Sequence, residues 1–187
     1  MSRSQLNFAC AIVIRCCPVL NALSRRLSEV MNDKIELFLS EKALEEIGQH
    51  AQETFPEECC GVVSTDGDVD RVHRLKNIQN QLHALDPQTY PRTATIAYAM
   101  DYKELELVID EAKRNGAKLK AFYHSHPNHD AYFSDEDKAF ASPFGEPTFP
   151  GTAQLVVAVY DRAVKEMCAF SWSDQEKDFI KVILTKT

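Results

Sequence analysis

The chain has 187 residues, 44% of them hydrophobic and 26% charged, which is enough for one domain with a real core. Its formal net charge is −7, and it has no cluster of Lys and Arg, which argues against a nucleic-acid partner. The apolar run at residues 8–14 is too short for a transmembrane helix. We therefore expect a cytoplasmic globular protein with neither a membrane nor a nucleic-acid partner.

Residues 1–30 differ from the rest of the chain in charge, because they contain four arginines and only Glu29 as an acid. Three interpretations fit this segment: a weak secretory signal, a transit-like segment, or residues upstream of a translation start at Met31. The regular strand and helix pattern that begins at Met31 favours the last. We predict an N-terminal extension at residues 1–30 and a single domain at residues 31–187.

The domain begins with an alternating strand, a capped helix and a hairpin. Residues 35–39 alternate between apolar and polar side chains, and Ser40 then stands at the N-cap of an amphipathic helix. Asp66-Gly67 is a hairpin turn signal, and it separates predicted strands at residues 60–64 and 69–75.

The middle of the domain predicts a loop, a short strand and a second long helix. Residues 77–93 contain two prolines and predict a loop, and residues 95–98 predict a short strand. The apolar spacing of residues 102–115 predicts a helix, and Gly116 is placed to end it. A strand is expected to follow from Lys118.

The last third of the domain predicts three strands after a loop rich in proline and glycine at residues 142–151. Strands at residues 154–160 and 164–172 form a hairpin through Asp161-Arg162, and residues 177–184 form the last strand. This order of elements predicts a three-layer α/β domain, in which a central mixed β-sheet is flanked by helices.

The most informative motif is His-Ser-His-Pro at residues 124–127. Side chains alternate along a strand, so His124 and His126 point the same way, and the proline ends the strand. Ser134 and Asp137 follow at the N-cap and N3 positions of a predicted helix. Two neutral imidazoles and one carboxylate suit zinc, and three protein ligands leave a fourth position for water. The residues therefore predict one catalytic zinc ion per chain.

Together with a glutamate upstream, this pattern resembles the active site of the JAMM (MPN+) metallopeptidase family. The family pattern is a glutamate, then His-x-His-Pro, then Ser-x-x-Asp seven residues after that proline. Every element is present here with this spacing, and the resemblance covers roughly residues 34–187. The chain is similar to single-domain prokaryotic members, which implies a JAMM/MPN-like three-layer fold.

The resemblance also implies roles for the site residues. Glu58 lies in the family's Glu-x-Cys-Gly context and would act as the proton shuttle, whereas Glu57 is interpreted as a solvated neighbour. Ser134 has two predicted roles that can hold together. It caps the helix, which stabilises by about 1 kcal/mol, and the resemblance implies that it donates a hydrogen bond to the tetrahedral oxyanion.

Two other kinds of site fit the sequence less well. A metallo-β-lactamase motif would need an aspartate where Asn128 stands and further histidines after His129, so we place His129 at the mouth of the site. The cysteines form no Cys-x-x-Cys pair, which argues against a structural zinc ribbon. Of Cys59 and Cys60, one is expected in the core and the other near the glutamate.

The function that the resemblance implies is zinc-dependent hydrolysis of the amide bond at the C-terminal Gly-Gly tail of a ubiquitin-like or sulfur-carrier protein. Two alternatives stay open. MPN domains that lack the metal ligands act as scaffolds in large assemblies, and the same catalytic residues would also serve a metallopeptidase with an unrelated peptide substrate.

Overall fold

The structure, a computed structural model, describes residues 36–187, so the predicted extension at residues 1–30 lies outside the described residues. In chain order the elements are β1 (Glu36–Leu39), α1 (Glu41–Thr54), β2 (Cys60–Asp66), β3 (Val69–Leu75), α2 (Gln79–Leu85), α3 (Tyr102–Asn115), β4 (Lys118–Pro127), α4 (Asp135–Ala141), β5 (Ala153–Tyr160), β6 (Ala163–Ser173) and β7 (Asp178–Lys186). No helix within this range is long and apolar enough to cross a membrane.

The strands form one mixed sheet in the order β1-β7-β6-β5-β4-β2-β3. The pairs β1–β7 and β4–β5 are parallel, and the other neighbours are antiparallel. Strand β4 lies inside the sheet, with His124 opposite Cys60 of β2 and Val156 of β5. Its residues 121–127 are all buried, as expected where both faces of a sheet are covered. The histidine motif therefore lies on a buried strand that is paired on both sides.

Helices α1 and α3 cover opposite faces of the sheet and give the predicted three layers. Ile47 of α1 packs in one core cluster with Tyr123, whereas Val108 of α3 packs in another with Phe122. Phe122 and Tyr123 are neighbours on β4, so their side chains point to opposite faces. His124 has the same orientation as Phe122 and lies on the α3 face.

Most predicted elements are confirmed, and their ends lie where capping and turn residues predicted them. The Ser40 side chain accepts a hydrogen bond from Ala43 N at 3.3 Å and caps α1. Gly116 has φ 69° and ends α3 in the left-handed conformation. Asp161 and Arg162 have φ 49° and 64°, as a two-residue turn of type I′ requires between β5 and β6.

Two predictions between β3 and α3 are wrong. Residues 77–93, predicted as a loop, contain helix α2, and the prolines that suggested a loop lie beyond its C-terminus. Residues 95–98, predicted as a strand, form no ladder. Ala97 within this segment and Ala99 just after it bond instead to the side chain of Asn77, which takes up the backbone groups that a strand would offer.

Candidate metal centre and active site

The three residues predicted to bind metal lie together at the end of β4. His124 Nε2 is 3.1 Å from His126 Nε2 and 3.5 Å from Asp137 Oδ1, and His126 Nε2 is 4.0 Å from Asp137 Oδ2. All three donor atoms lie within 4.8 Å of one another. The two histidines come from the buried strand and the aspartate from the first turn of α4, so two rigid elements meet at this point.

A capping box orients the Asp137 carboxylate. Asp137 N donates to Ser134 Oγ at 3.1 Å, and Ser134 N donates back to Asp137 Oδ2 at 2.9 Å. The Ser134 hydroxyl also donates to Oδ2, at 2.5 Å. Because Oδ2 accepts both hydrogen bonds from Ser134, Oδ1 is the oxygen left to face His124.

The histidines are held in the protonation state that a metal needs. The carbonyl of Asp130 lies 3.0 Å from His126 Nδ1, and since a carbonyl only accepts, Nδ1 carries the proton and Nε2 keeps its lone pair. Burial is the main cause that lowers the pKa of both His124 and His126, which keeps the imidazoles neutral. Two neutral imidazoles and a carboxylate are a donor set that fits zinc.

Aromatic side chains fix the two imidazole rings in place. Tyr98 stacks on His124, with ring centroids 4.4 Å apart and an angle of 21° between the planes. Tyr132 packs edge-on against His126 at 4.9 Å. Neither tyrosine is marked by the sequence as part of the site. Tyr98 lay in the segment that was predicted as a strand, and no spacing pattern marks Tyr132 in its loop.

Glu58 lines the same cavity, which has a volume of about 830 Å³, as His126, Ser134 and Asp137. The pKa of Glu58 is raised to about 9: burial is the largest cause, the charge of Asp137 adds to it, and Arg92 opposes it. A raised pKa makes a carboxylate a stronger base than an ordinary glutamate, and a carboxyl can take a proton in one step and give it back in the next. Its backbone N donates to Ala94 O at 2.7 Å.

The cysteines near Glu58 are buried in the core. Cys59 belongs to the cluster that contains Tyr123, and Cys60 packs on the opposite face of the sheet. Burial raises the pKa of the Cys59 thiol to about 12 and raises that of Cys60 as well. A thiol must ionise to act as a nucleophile, so these pKa values argue against a cysteine-protease site here.

The neighbours of the predicted ligands take different positions. Ser125 points away from the cavity, is fully buried, and accepts a hydrogen bond from Cys59 N at 2.9 Å. His129 is exposed and lines the cavity. Glu57 does not face the cavity, since its carboxylate accepts a hydrogen bond from Asn80 Nδ2 at 2.8 Å.

The mouth of the cavity is rimmed by apolar side chains and crossed by one ion pair. Arg92 pairs with Glu136, and so joins the segment after α2 to the first turn of α4. The apolar side chains are more than a third exposed: Tyr90, Ile96, Tyr132 and Phe140. Exposed apolar groups around a cleft are typical of a binding surface for another macromolecule.

Comparison with solved structures supports the fold. A protein of Desulfitobacterium hafniense, solved in solution, superposes with a TM-score of 0.59 at 23% identity, covering 82% of this chain and 93% of that one. A protein of Salinibacter ruber, also solved in solution, has a TM-score of 0.51 at 23% identity, covering 79% of this chain and 90% of the other.

Comparison of sequences identifies the family. The chain is similar to desampylase of Haloferax volcanii, with 29% identity over 144 residues, which are 75% of this chain and 90% of that protein. The family described as prokaryotic homologs of the JAB domain matches residues 40–175, a range that includes Glu58, both histidines of the motif, Ser134 and Asp137. The protein therefore belongs to this prokaryotic JAB family, a branch of the JAMM/MPN proteins that the motif at residues 124–127 predicted.

Proposed function

We propose that the protein is a zinc-dependent peptidase or isopeptidase that hydrolyses the amide bond at the C-terminal Gly-Gly tail of a ubiquitin-like or sulfur-carrier protein. The observation that carries the proposal is that the donor atoms of His124, His126 and Asp137 lie together, and that two of these residues, His126 and Asp137, line one cavity with the buried Glu58. The similarity to desampylase supports the proposed activity.

The residues that would hold zinc are His124 and His126, through Nε2, and Asp137, through its carboxylate. Bound there, zinc would supply a Lewis acid that polarises the scissile carbonyl and makes water more acidic. The protein's own contribution is orientation. The Asp130 carbonyl selects the tautomer of His126, and Ser134 turns the Asp137 carboxylate toward the histidines.

Glu58 is proposed to move the proton. An amide is cleaved when water loses a proton and the leaving nitrogen gains one, and a single carboxyl can do both in turn. The raised pKa strengthens the Glu58 carboxylate as a base toward water, and the carboxyl then holds that proton until the leaving amine takes it. Ser134, whose hydroxyl can rotate, is proposed to donate to the oxyanion that forms at the scissile carbon.

The depth of the site favours a tail of glycines. His124 and His126 are only 1% and 7% exposed, so the chain that reaches their Nε2 atoms has to be narrow. Glycine has no side chain to block that approach. The apolar rim then contacts the body of the partner protein, and the narrow tail enters between the two sides of the cavity.

The first experiment measures zinc in the purified protein and in Asp137→Ala by elemental analysis. We expect about one zinc per wild-type chain and a strong loss in the variant, because the third ligand is gone. Asp135→Ala is the matched control, since Asp135 is an exposed carboxylate in the same helical turn. Full zinc occupancy in Asp137→Ala would contradict the ligand set.

The second part of this experiment tests the substrate by mass spectrometry. A ubiquitin-like protein with a peptide fused after its Gly-Gly tail should be cut after the second glycine, and the same fusion with Val-Val should not. Equal cutting of both would favour the alternative of an unrelated peptide substrate. Zinc-free wild-type protein that cuts neither would favour a non-catalytic scaffold.

A further inference from the structure

We propose that Asn77 is a positioning residue, which holds Glu58 and the backbone around Tyr98 in place over the metal-ligand residues. Asn77 lies between β3 and α2, belongs to no part of the sequence motif, and its side chain bonds to Glu58, Gln79, Ala97 and Ala99. Its effect on the reaction rests on the proposed function, whereas its effect on the structure does not.

The Asn77 side chain makes four hydrogen bonds. Its Nδ2 donates to Glu58 O at 2.9 Å and to Ala97 O at 3.2 Å. Its Oδ1 accepts from Gln79 N and from Ala99 N, both at 3.0 Å. A primary amide has two hydrogens and two lone pairs to offer, so this one is fully used. The side chain therefore has no free hydrogen-bond donor or acceptor with which to bind a ligand.

The hydrogen bonds of Asn77 connect Glu58 with the residues on either side of Tyr98. On one side the amide fixes the carbonyl of Glu58, the proposed proton shuttle. On the other it fixes Ala97 and Ala99, the residues on either side of Tyr98, whose ring stacks on His124 at 4.4 Å. The Asn77 side chain thus connects the backbone of Glu58 with the segment that carries Tyr98, beside the backbone hydrogen bond from Glu58 N to Ala94 O.

Two neighbouring side-chain amides also bond to the backbone of the segment before Tyr98, but they do not connect it with Glu58. Asn80 Oδ1 accepts from Ala94 N at 2.8 Å, and Gln79 Nε2 donates to Arg92 O at 2.8 Å. Neither side chain bonds to Glu58. Among the described residues, only the Asn77 side chain bonds both to Glu58 and to the residues that flank Tyr98.

Aspartate at this position would break the network selectively. Asp has nearly the shape of Asn, so one oxygen keeps the contacts with Gln79 N and Ala99 N. The second oxygen replaces the N–H donors and would face the carbonyl oxygens of Glu58 and Ala97. Gln81→Glu is the matched control, because it makes the same change of amide to carboxylate at an exposed position of α2.

The test compares wild type, Asn77→Asp and Gln81→Glu by steady-state kinetics on the Gly-Gly fusion, zinc content and amide hydrogen exchange. For Asn77→Asp we expect kcat to fall about 10- to 100-fold, since a displaced catalytic group loses that much, while KM stays within about threefold. We expect zinc content to be unchanged and the amides of Glu58 and of residues 94–99 to exchange faster. Gln81→Glu should match wild type in every measurement.

Three outcomes would overturn the proposal: an unchanged kcat, a loss of activity in proportion to lost zinc, or faster exchange spread over the whole sheet. If wild type cleaves no fusion, the proposed function fails and hydrogen exchange decides on positioning alone. Faster exchange confined to Glu58 and residues 94–99 would then support it, and unchanged exchange would reject it. If Asn77→Asp does not fold, Asn77→Ala, which adds no charge, is measured in its place.

Discussion

The two sides of the catalytic cavity are built in different ways. The ligand wall, residues 118–141, orients the metal-ligand residues by contacts that are close in sequence, such as the capping box that joins Ser134 to Asp137. The loop wall, residues 76–101, is held by side-chain amides that bond to backbone 13 to 22 residues away, and one of them, Asn77, bonds to the backbone of Glu58. The proposed metal ligands are therefore oriented by contacts close in sequence, whereas the proposed proton shuttle is held by contacts between distant segments.

The largest expected effect separates these two functions at Glu58. Glu58→Gln keeps the size of the side chain but cannot move a proton, so we expect turnover to fall by about 10²- to 10⁴-fold. Zinc content should be unchanged, because Glu58 is not among the three donor residues. Kinetics on the Gly-Gly fusion and elemental analysis of the same sample check both statements.

Glu57→Gln is the control for this comparison. Glu57 is adjacent in sequence, but its carboxylate bonds to Asn80 and does not line the cavity. We expect its activity to stay within about twofold of wild type, as for most surface changes. A large loss in Glu57→Gln, or loss of zinc in Glu58→Gln, would mean that the roles of the two glutamates are assigned wrongly.

The same difference explains what the sequence could predict. His124, His126 and Asp137 could be placed because strand alternation and helix capping act over two to four residues, and the structure brings all three together. Their role as zinc ligands stays a prediction. The three layers and the mixed sheet followed from the order of elements and are confirmed.

The loop wall could not be predicted, because its conformation is set by partners far away in sequence. Residues 95–98 look like a strand, yet Asn77 takes the backbone groups of Ala97 and Ala99. Nothing in the sequence marks Asn77 as different from other polar loop residues. Tyr98 was missed for the same reason, since its contact with His124 exists only once the wall has formed.

The second largest effect concerns Ser134 on the ligand wall. Ser134→Ala removes the cap, which should cost about 1 kcal/mol of unfolding free energy. If the hydroxyl also donates to the oxyanion, as proposed, turnover at saturating zinc should fall by about 10²- to 10³-fold. Urea unfolding and kinetics on one preparation measure the two effects separately.

Ser134→Thr is the matched control, because threonine keeps the hydroxyl and also serves as an N-cap. It should retain both the stability and most of the turnover. If Ser134→Ala loses less than about tenfold in turnover while it loses the stability, the hydroxyl acts on Asp137 alone. The two hydrogen bonds of the Ser134 hydroxyl to Asp137 would then be its whole function.

The smallest expected effect concerns the stability of the folded protein, which depends on pH because Glu58 is buried. The pKa of Glu58 is about 9 in the folded protein, because burial is the largest cause that raises it, and about 4.5 in the unfolded chain. Between these two pH values the folded protein holds a proton that the unfolded chain has lost. The contribution of Glu58 to stability is therefore full below pH 4.5 and is lost as pH rises toward 9.

Glu58→Gln should remove this dependence, because glutamine is neutral at every pH. In protein treated with a chelator, so that no metal charge acts on the site, we expect the variant to gain stability over wild type between pH 5 and pH 8. The relative gain should be on the order of 1–3 kcal/mol, since each unit of pH adds at most about 1.4 kcal/mol for one proton. Urea unfolding at the two pH values measures it. An equal pH dependence of the unfolding free energy in both proteins would mean that Glu58 is already ionised in the folded state. The buried carboxyl would then be charged and not protonated.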